Sequence, residues 1–325
     1  MTGKKLGTSF MSKYSMIGVL ILMILAFSVL SSKFFSVQNI SGILLNEAAA
    51  SCLALGAMFI LITGEFDLSL GYNLCLCMVF GAYVANKGVG IIGVVAAILL
   101  LGTVCGLING LLVVYFKISS FIVTLSLGLT LSGVAKALSE GGIISITEPV
   151  ELLVFARDGV FNIGYCVILF LVLSIVMYYV LNYTCFGRHL YAVGISKKTA
   201  FLAGININRV RILAFTFAGT AAGIGGAILL GQLGSASSAY GTSLLLPAYA
   251  VVFLSKTSFK PGYINVPGVI LSILIVAVVT NGAQLVGMPS WGNYFFEGLV
   301  LILAMWLSTK FNVTGIKRAE NKQAA

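Results

Sequence analysis

Residues 63–71 read Thr-Gly-Glu-Phe-Asp-Leu-Ser-Leu-Gly, "TGEFDLSLG", between two almost wholly apolar runs, "AAASCLALGAMFILI" (48–62) and "YNLCLCMVFGAYVA" (72–85). Two carboxylates, a serine and two glycines interrupt a stretch that otherwise reads as continuous hydrocarbon. That pattern fits a polar turn joining two membrane-spanning helices. Asp67 stands just ahead of a new helix, where a carboxylate can accept hydrogen bonds from first-turn amides and suits the positive end of the helix dipole. Gly64 and Gly71 permit a tight turn and close helix contact, and Ser69 completes the polar set.

The rest of the 325-residue chain agrees with this setting. Hydrophobic residues make up 59% and charged residues only 9%, against about 25% charged in a soluble domain. Long continuous apolar runs, not alternating ones, exclude a β-barrel and predict an all-α polytopic membrane protein. Ten spans are expected, at 15–31, 42–63, 68–86, 90–115, 119–139, 162–182, 211–232, 244–257, 264–286 and 293–309, forming a single transmembrane domain over 1–325. The eighth is short for a span.

The excess of basic residues follows the same layout. With the N-terminus inside, fifteen Lys and Arg (4, 5, 13, 117, 188, 197, 198, 209, 211, 256, 260, 310, 317, 318 and 322) fall on the cytoplasmic side and four (33, 87, 136 and 157) outside, accounting for all 19. The positive-inside rule then places both termini in the cytoplasm and explains the net charge of +10 without nucleic acid. Tyr14, Tyr115, Phe116, Tyr183 and Trp306 fall at inner boundaries, and Phe34, Phe35 and Trp291 at outer ones. The first apolar segment lacks a small-residue cleavage site and reads as an uncleaved span.

Several chemistries find no residues to carry them. The six cysteines have no paired metal spacing, and His189 is the single histidine, so no metal or cofactor is expected. There is no phosphate-binding Gly-rich loop ending in Lys-Ser/Thr and no nucleophilic triad, so no enzyme activity is expected. Glu47, Lys136 and Glu297 lie toward the outer ends of their spans, leaving the midplane without the ionisable groups that ion-coupled transporters use. The energy for a passage of this kind would come from another subunit.

Two further patterns concern helix contacts. "GTVCGLING" spaces Gly102, Gly106 and Gly110 four apart, and "AGTAAGIGGA" does the same with Gly219 and Gly223; such faces predict close helix packing in lipid. The loop at about 183–210 is the longest on the inside. Within it "SKKTAFLAG" predicts a short helix with Ser196 as N-cap and Gly204 as its stop, presenting Phe201 and Leu202 as an apolar tip. A helix this short is marginal alone, and an exposed apolar tip predicts docking on another surface.

A solute path through a membrane needs donors and acceptors along it, and polar residues inside spans are its candidates. The candidates are Asn46 and Glu47 in the second span, Ser119, Ser120 and Thr124 in the fifth, and Asn281, Gln284, Asn293 and Glu297 in or beside the last two. Phe121 and Trp291 stand beside them as candidate stacking surfaces or helix anchors.

Three stretches carry a resemblance to a known family: "LITGEFDLSLG" (61–71), "INGLLVVYFKISSFIVTLSLG" (108–128) and "FGRHLYAVGISKKTAFLAGININRVRILAF" (186–215). In this order, over nearly the full length, the chain resembles the permease subunits of bacterial ABC importers of the ribose/xylose/arabinose/galactose class. The resemblance implies an inner-membrane permease of about ten helices working as a dimer. It also implies an extracytoplasmic sugar-binding protein that delivers cargo and ABC ATPase subunits that drive transport through the cytoplasmic loop. Arg188, Ser196, Phe201, Leu202 and Gly204 would then belong to the ATPase-coupling element. The chain departs from the family twice. Gly64-Glu65-Phe66 stands where the family has Gly-Gly-Ile, and "LSKTSFKPGYINVPG" (254–268) carries Lys256, Lys260 and Pro261 where the family is glycine-rich, a pattern expected of one half of a heterodimer. The competing readings are a branched-chain amino acid or nucleoside permease of the same superfamily, a secondary transporter, and a membrane scaffold.

Overall fold

The computed structural model describes residues 2–289 apart from Phe161 and Asn162, together with Trp291, Gly292, Phe295, Gly298, Leu299 and Ile302; the side chains of 2–13 and 15 are not among those described. Thirteen helices are found among these residues. They are α1 (Thr2–Leu30), α2 (Val37–Asn46), α3 (Ala48–Ile62), α4 (Leu70–Ala85), α5 (Ile91–Tyr115), α6 (Ser120–Leu138), α7 (Val150–Arg157), α8 (Tyr165–Tyr183), α9 (Cys185–Ile195), α10 (Lys197–Leu202), α11 (Ile207–Leu233), α12 (Leu245–Leu254) and α13 (Val266–Leu285). Four two-residue strands complete the list. β1 (Ile144–Ser145) pairs antiparallel with β4 (Ser235–Ala236), and β2 (Gly159–Val160) with β3 (Ile163–Gly164).

Five of the helices (α5, α6, α8, α11 and α13) are long and apolar enough to cross a membrane, and α2 with α3 counts as a sixth only if the pair is one broken span. Met16–Leu30, α4 and Thr242–Thr257 are shorter apolar helices. The all-α expectation holds, with three corrections to the layout. The second predicted span (42–63) is two helices interrupted at Glu47. The eighth (244–257) is a ten-residue α-helix flanked by single 3-10 turns. The loop predicted to lie inside, at 183–210, is mostly helical, because α9 precedes the expected short helix. Most of the tenth predicted span lies outside the described residues.

The chain divides into two compact units, Ala48–Ala248 and Met1–Glu47 with Tyr249–Ala325. In the first, α11 is the central helix, packed on α5, α3 and α4. The glycine stripes predicted on α5 and α11 face each other. A Cβ on Gly102 would lie 2.6 Å from the Gly219 carbonyl oxygen, and one on Gly110 would lie 2.9 Å from Ile212 Cα. Only glycine permits this approach, which replaces side-chain packing by direct backbone contact. Thr103 and Thr220 join the same two helices through their hydroxyls, 2.9 Å apart. In the second unit α13 packs on α1 and α2. Asn39 and Asn281 exchange two amide hydrogen bonds of 3.0 Å, and Phe27 fills the space over Gly282.

Candidate functional site: the buried turn and the short helix it holds

The turn at 63–69 starts where α3 stops. Gly64 has φ +78°, its amide donates to the Leu61 carbonyl, and the Glu65 amide donates to the Ile60 carbonyl. This is the glycine-terminated helix end in which a left-handed residue lets the last carbonyls find donors. Residues 65–67 carry no regular structure, and 68–69 form a turn into α4. Amides of this stretch are taken up by α6: Phe66 N donates to Ser120 Oγ at 3.3 Å and Leu68 N to Thr124 Oγ1 at 3.0 Å. Thr124 is fully buried and also donates to the Ser120 carbonyl at 2.7 Å. Two of the residues expected along a cargo path therefore commit hydroxyls to this turn.

Asp67 is likewise fully buried. Its Oδ1 accepts from Ser69 N at 2.8 Å and Ser69 Oγ at 2.6 Å. Asn109 Nδ2 on α5 lies 3.4 and 3.3 Å from the two carboxylate oxygens and 2.6 Å from Ser69 Oγ. This corrects the capping expectation. Helix α4 begins at Leu70, its N-cap Ser69 makes no side-chain cap bond, and Asp67 holds the amide of Ser69 ahead of the helix. Burial pushes the Asp67 carboxyl up to about 6, against the lowering effect of its bonds from Ser69 and Asn109. Gly71 permits a further close approach, since a Cβ there would sit 2.8 Å from the Gly241 carbonyl oxygen.

Glu65 points the other way. Its Oε1 lies 2.6 Å from Lys197 Nζ on α10 and 2.9 Å from Arg211 Nη2 on α11. Burial alone would raise this carboxyl; hydrogen bonds from Lys197 and Ser120 and the charge of Arg211 outweigh it and hold the pKa below the ordinary value. The family departure at position 65 thus supplies the anion that two cations share. A charge set in an apolar run requires partners, and that was the available signal for this cluster. Their positions, 132 residues away for Lys197, were not readable.

Helix α10 has the local geometry expected of "SKKTAFLAG". Ser196 Oγ accepts from Thr199 N at 3.2 Å. Gly204 has φ +78°, its amide donates to the Phe201 carbonyl, and the Ile205 amide donates to the Ala200 carbonyl. Ala200 is buried, while Phe201 and Leu202 are 70% and 76% exposed. The end of α9 touches the end of α3, because Gly194 lies so near the Ile62 carbonyl that any Cβ would overlap it. Arg188 on α9 is exposed, with Nη2 3.2 Å from Cys185 Sγ.

The remaining path candidates are scattered over the fold. Asn46 is exposed at the end of α2 and Glu47 stands at the break. Ser119, at the start of α6, and Phe121 are exposed, as are Gln284 and Trp291. Asn281 spends its amide on Asn39. Asn293 and Glu297 lie outside the described residues.

Apolar helices of spanning length, packed around a polar turn that grips a short capped helix, define a multi-pass, all-α membrane protein. Residues 39–305 match the family described as "Branched-chain amino acid transport system / permease component", and the chain belongs to that family. It is 30% identical over 308 residues to "Ribose import permease protein RbsC" of Escherichia coli (strain K12), covering 92% of this chain and 94% of the relative. The protein of the same name from Bacillus subtilis (strain 168) is 31% identical over 298 residues, covering 90% and 91%. "Autoinducer 2 import system permease protein LsrD" of Photorhabdus luminescens is 28% identical over 303 residues, covering 90% of each chain. These relatives are transport permeases.

Proposed function

We propose that this chain is the membrane-spanning subunit of an ATP-driven importer for a monosaccharide or a related small hydroxylated solute. The observation that carries this reading is the full-length similarity to ribose and autoinducer 2 import permeases. The exposed Phe201–Leu202 tip supports it physically, as a knob that a separate ATPase subunit can grip. Cargo arrives from an extracytoplasmic binding protein, and the chain works with a second permease subunit, alike or different, in a bacterial inner membrane with both termini inside. Asn46, Glu47, Ser119, Phe121, Gln284, Asn293 and Glu297 remain the proposed path residues, with Ser120, Thr124 and Asn281 contributing through the helices they fasten. None of these is a Lys or Arg, which favours a neutral cargo over one carrying a carboxylate.

The test is ATP-dependent uptake of labelled ribose by the permease reconstituted with its own ATPase and binding-protein subunits. Uptake that ignores ATP overturns the mechanism. The family description favours a second reading, a branched-chain amino acid cargo. Leucine that competes with the cargo, where ribose does not, would establish that reading.

A further inference from the structure

We propose that Glu65 is the positioning residue through which movement of α10 reaches the entry of α4 and α6, by way of one cation that stays and one that detaches. The inference rests on the ATPase-driven reading above and deepens it. It begins from the unequal surroundings of the two cations. The Glu65 side chain is 8% exposed; that of Arg211 is 15% exposed and that of Lys197 is 48% exposed. Arg211 is the fifth residue of α11, the central helix of its unit, whereas Lys197 is the first residue of the six-residue α10. Arg211 thus keeps the carboxylate neutralised at a fixed place, and Lys197, on a flexible and half-solvated stem, travels with α10.

The arginine shows where the carboxylate goes on release. On the arginine, Glu65 Oε1 meets Nη2, and the buried Nε of Arg211 has no hydrogen-bond partner among the described residues. Nε and Nη2 form the side-on fork of a guanidinium, which binds a carboxylate through two parallel bonds. Once Lys197 withdraws, a small rotation of Glu65 brings its second oxygen to Nε and satisfies that orphan donor. The two arrangements are discrete, which is what a two-state coupling element requires.

The consequence reaches α6 directly. Glu65 is followed by Phe66, whose amide is bonded to Ser120, and Leu68, whose amide is bonded to Thr124. Rotation at Glu65 is therefore felt one residue later by the bonds that hold the start of α6.

Hydrogen exchange on the full-length permease in lipid nanodiscs tests the link without any partner. Lys197→Met, a change on α10, is expected to speed exchange of amides 66–70 at least five-fold, and Lys197→Arg to restore it. Unchanged exchange at 66–70 in Lys197→Met overturns the proposal. Glu65→Gln should speed exchange at both 66–70 and 197–204; should it fail to fold, the lysine variants still decide. In the reconstituted importer, Lys197→Met is expected to lower ribose moved per ATP hydrolysed at least five-fold with hydrolysis retained, and a wild-type ratio overturns the role in transmission. Wild type that imports ribose without ATP overturns the function reading instead, and the exchange data then stand as the measure of the tether.

Discussion

Two turns depart from the glycine-rich pattern of the family this chain resembles, and they are held in opposite ways. The turn at 63–69 uses charge: Glu65 between Lys197 and Arg211, Asp67 with Ser69 and Asn109. The loop at 255–265 uses a single neutral amide. Asn265 Nδ2 lies 3.1, 3.1 and 3.0 Å from the carbonyl oxygens of Ser255, Ser258 and Tyr263, and its Oδ1 accepts from Gly268 N at 2.9 Å. Both solutions satisfy buried backbone groups that would otherwise be orphaned. A neutral hub is indifferent to salt and pH and is lost all at once. A charged cluster responds to both and can exchange partners, which suits a place where movement is passed on.

The largest effect should come from breaking the neutral hub. Asn265→Ala removes the donor shared by the Ser255, Ser258 and Tyr263 carbonyls and leaves the buried Gly268 amide without its acceptor, and is expected to cost about 2–4 kcal/mol, read as a fall in melting temperature in detergent that does not change with salt. A loss that varied with salt would erase the contrast between the two turns. Glu65→Ala should cost less, about 1–2 kcal/mol, because Lys197 is half exposed and Arg211 partly exposed, so water takes up part of what both cations lose. Its effect should shrink as salt rises. The Glu65 carboxyl is held below its ordinary value of 4.5, so its contribution is present above that pH and fades as pH falls through the lowered value.

Gly64→Ala sharpens the comparison by disturbing the turn without touching its charges. Nothing lies within 4 Å of the added Cβ, so the cost is backbone strain at φ +78°, about 1 kcal/mol, independent of pH. The smallest net change at neutral pH is expected for Asp67→Asn, which trades the penalty of a buried carboxylate for weaker bonds to Ser69. Its signature is the pH profile. Burial raises the folded-state value from 3.8 to about 6, so the folded protein holds its proton where the unfolded chain has released it. Wild-type stability should therefore fall as pH rises from about 4 to about 6 and level off above, by the linkage between proton binding and folding. Melting curves across that range should show the slope in wild type and lose it in Asp67→Asn; equal slopes would remove Asp67 from the account.

How much of this was legible varies with the range of the interaction. Ser196 and Gly204 marked the ends of α10 because a helix N-cap and a glycine stop are made within five residues of chain. The glycine stripes announced close packing, but only the fold showed α5 and α11 packing on each other. The break at Glu47 was hidden, because the apolar run continues through it from 48 onward. Helix α9 was hidden as well, since "CFGRHLYAVGI" carries two glycines and no strong apolar period. The pairing of β1 with β4 joins residues about ninety positions apart and has no local mark.

Composition and spacing alone determined that this chain is all-helical, membrane-embedded and without its own phosphate-binding loop, because transfer of apolar segments into lipid depends on local hydrophobicity. They also determined that the polar interruption at 63–71 would be a turn. What that turn does was decided only in three dimensions. Ser120 and Thr124, read as cargo contacts, bond the turn's backbone, and Glu65, read as a departure from pattern, joins α10 to α11. A buried donor or charge must find a partner, but the identity of that partner depends on which distant helix the packing brings within 3 Å.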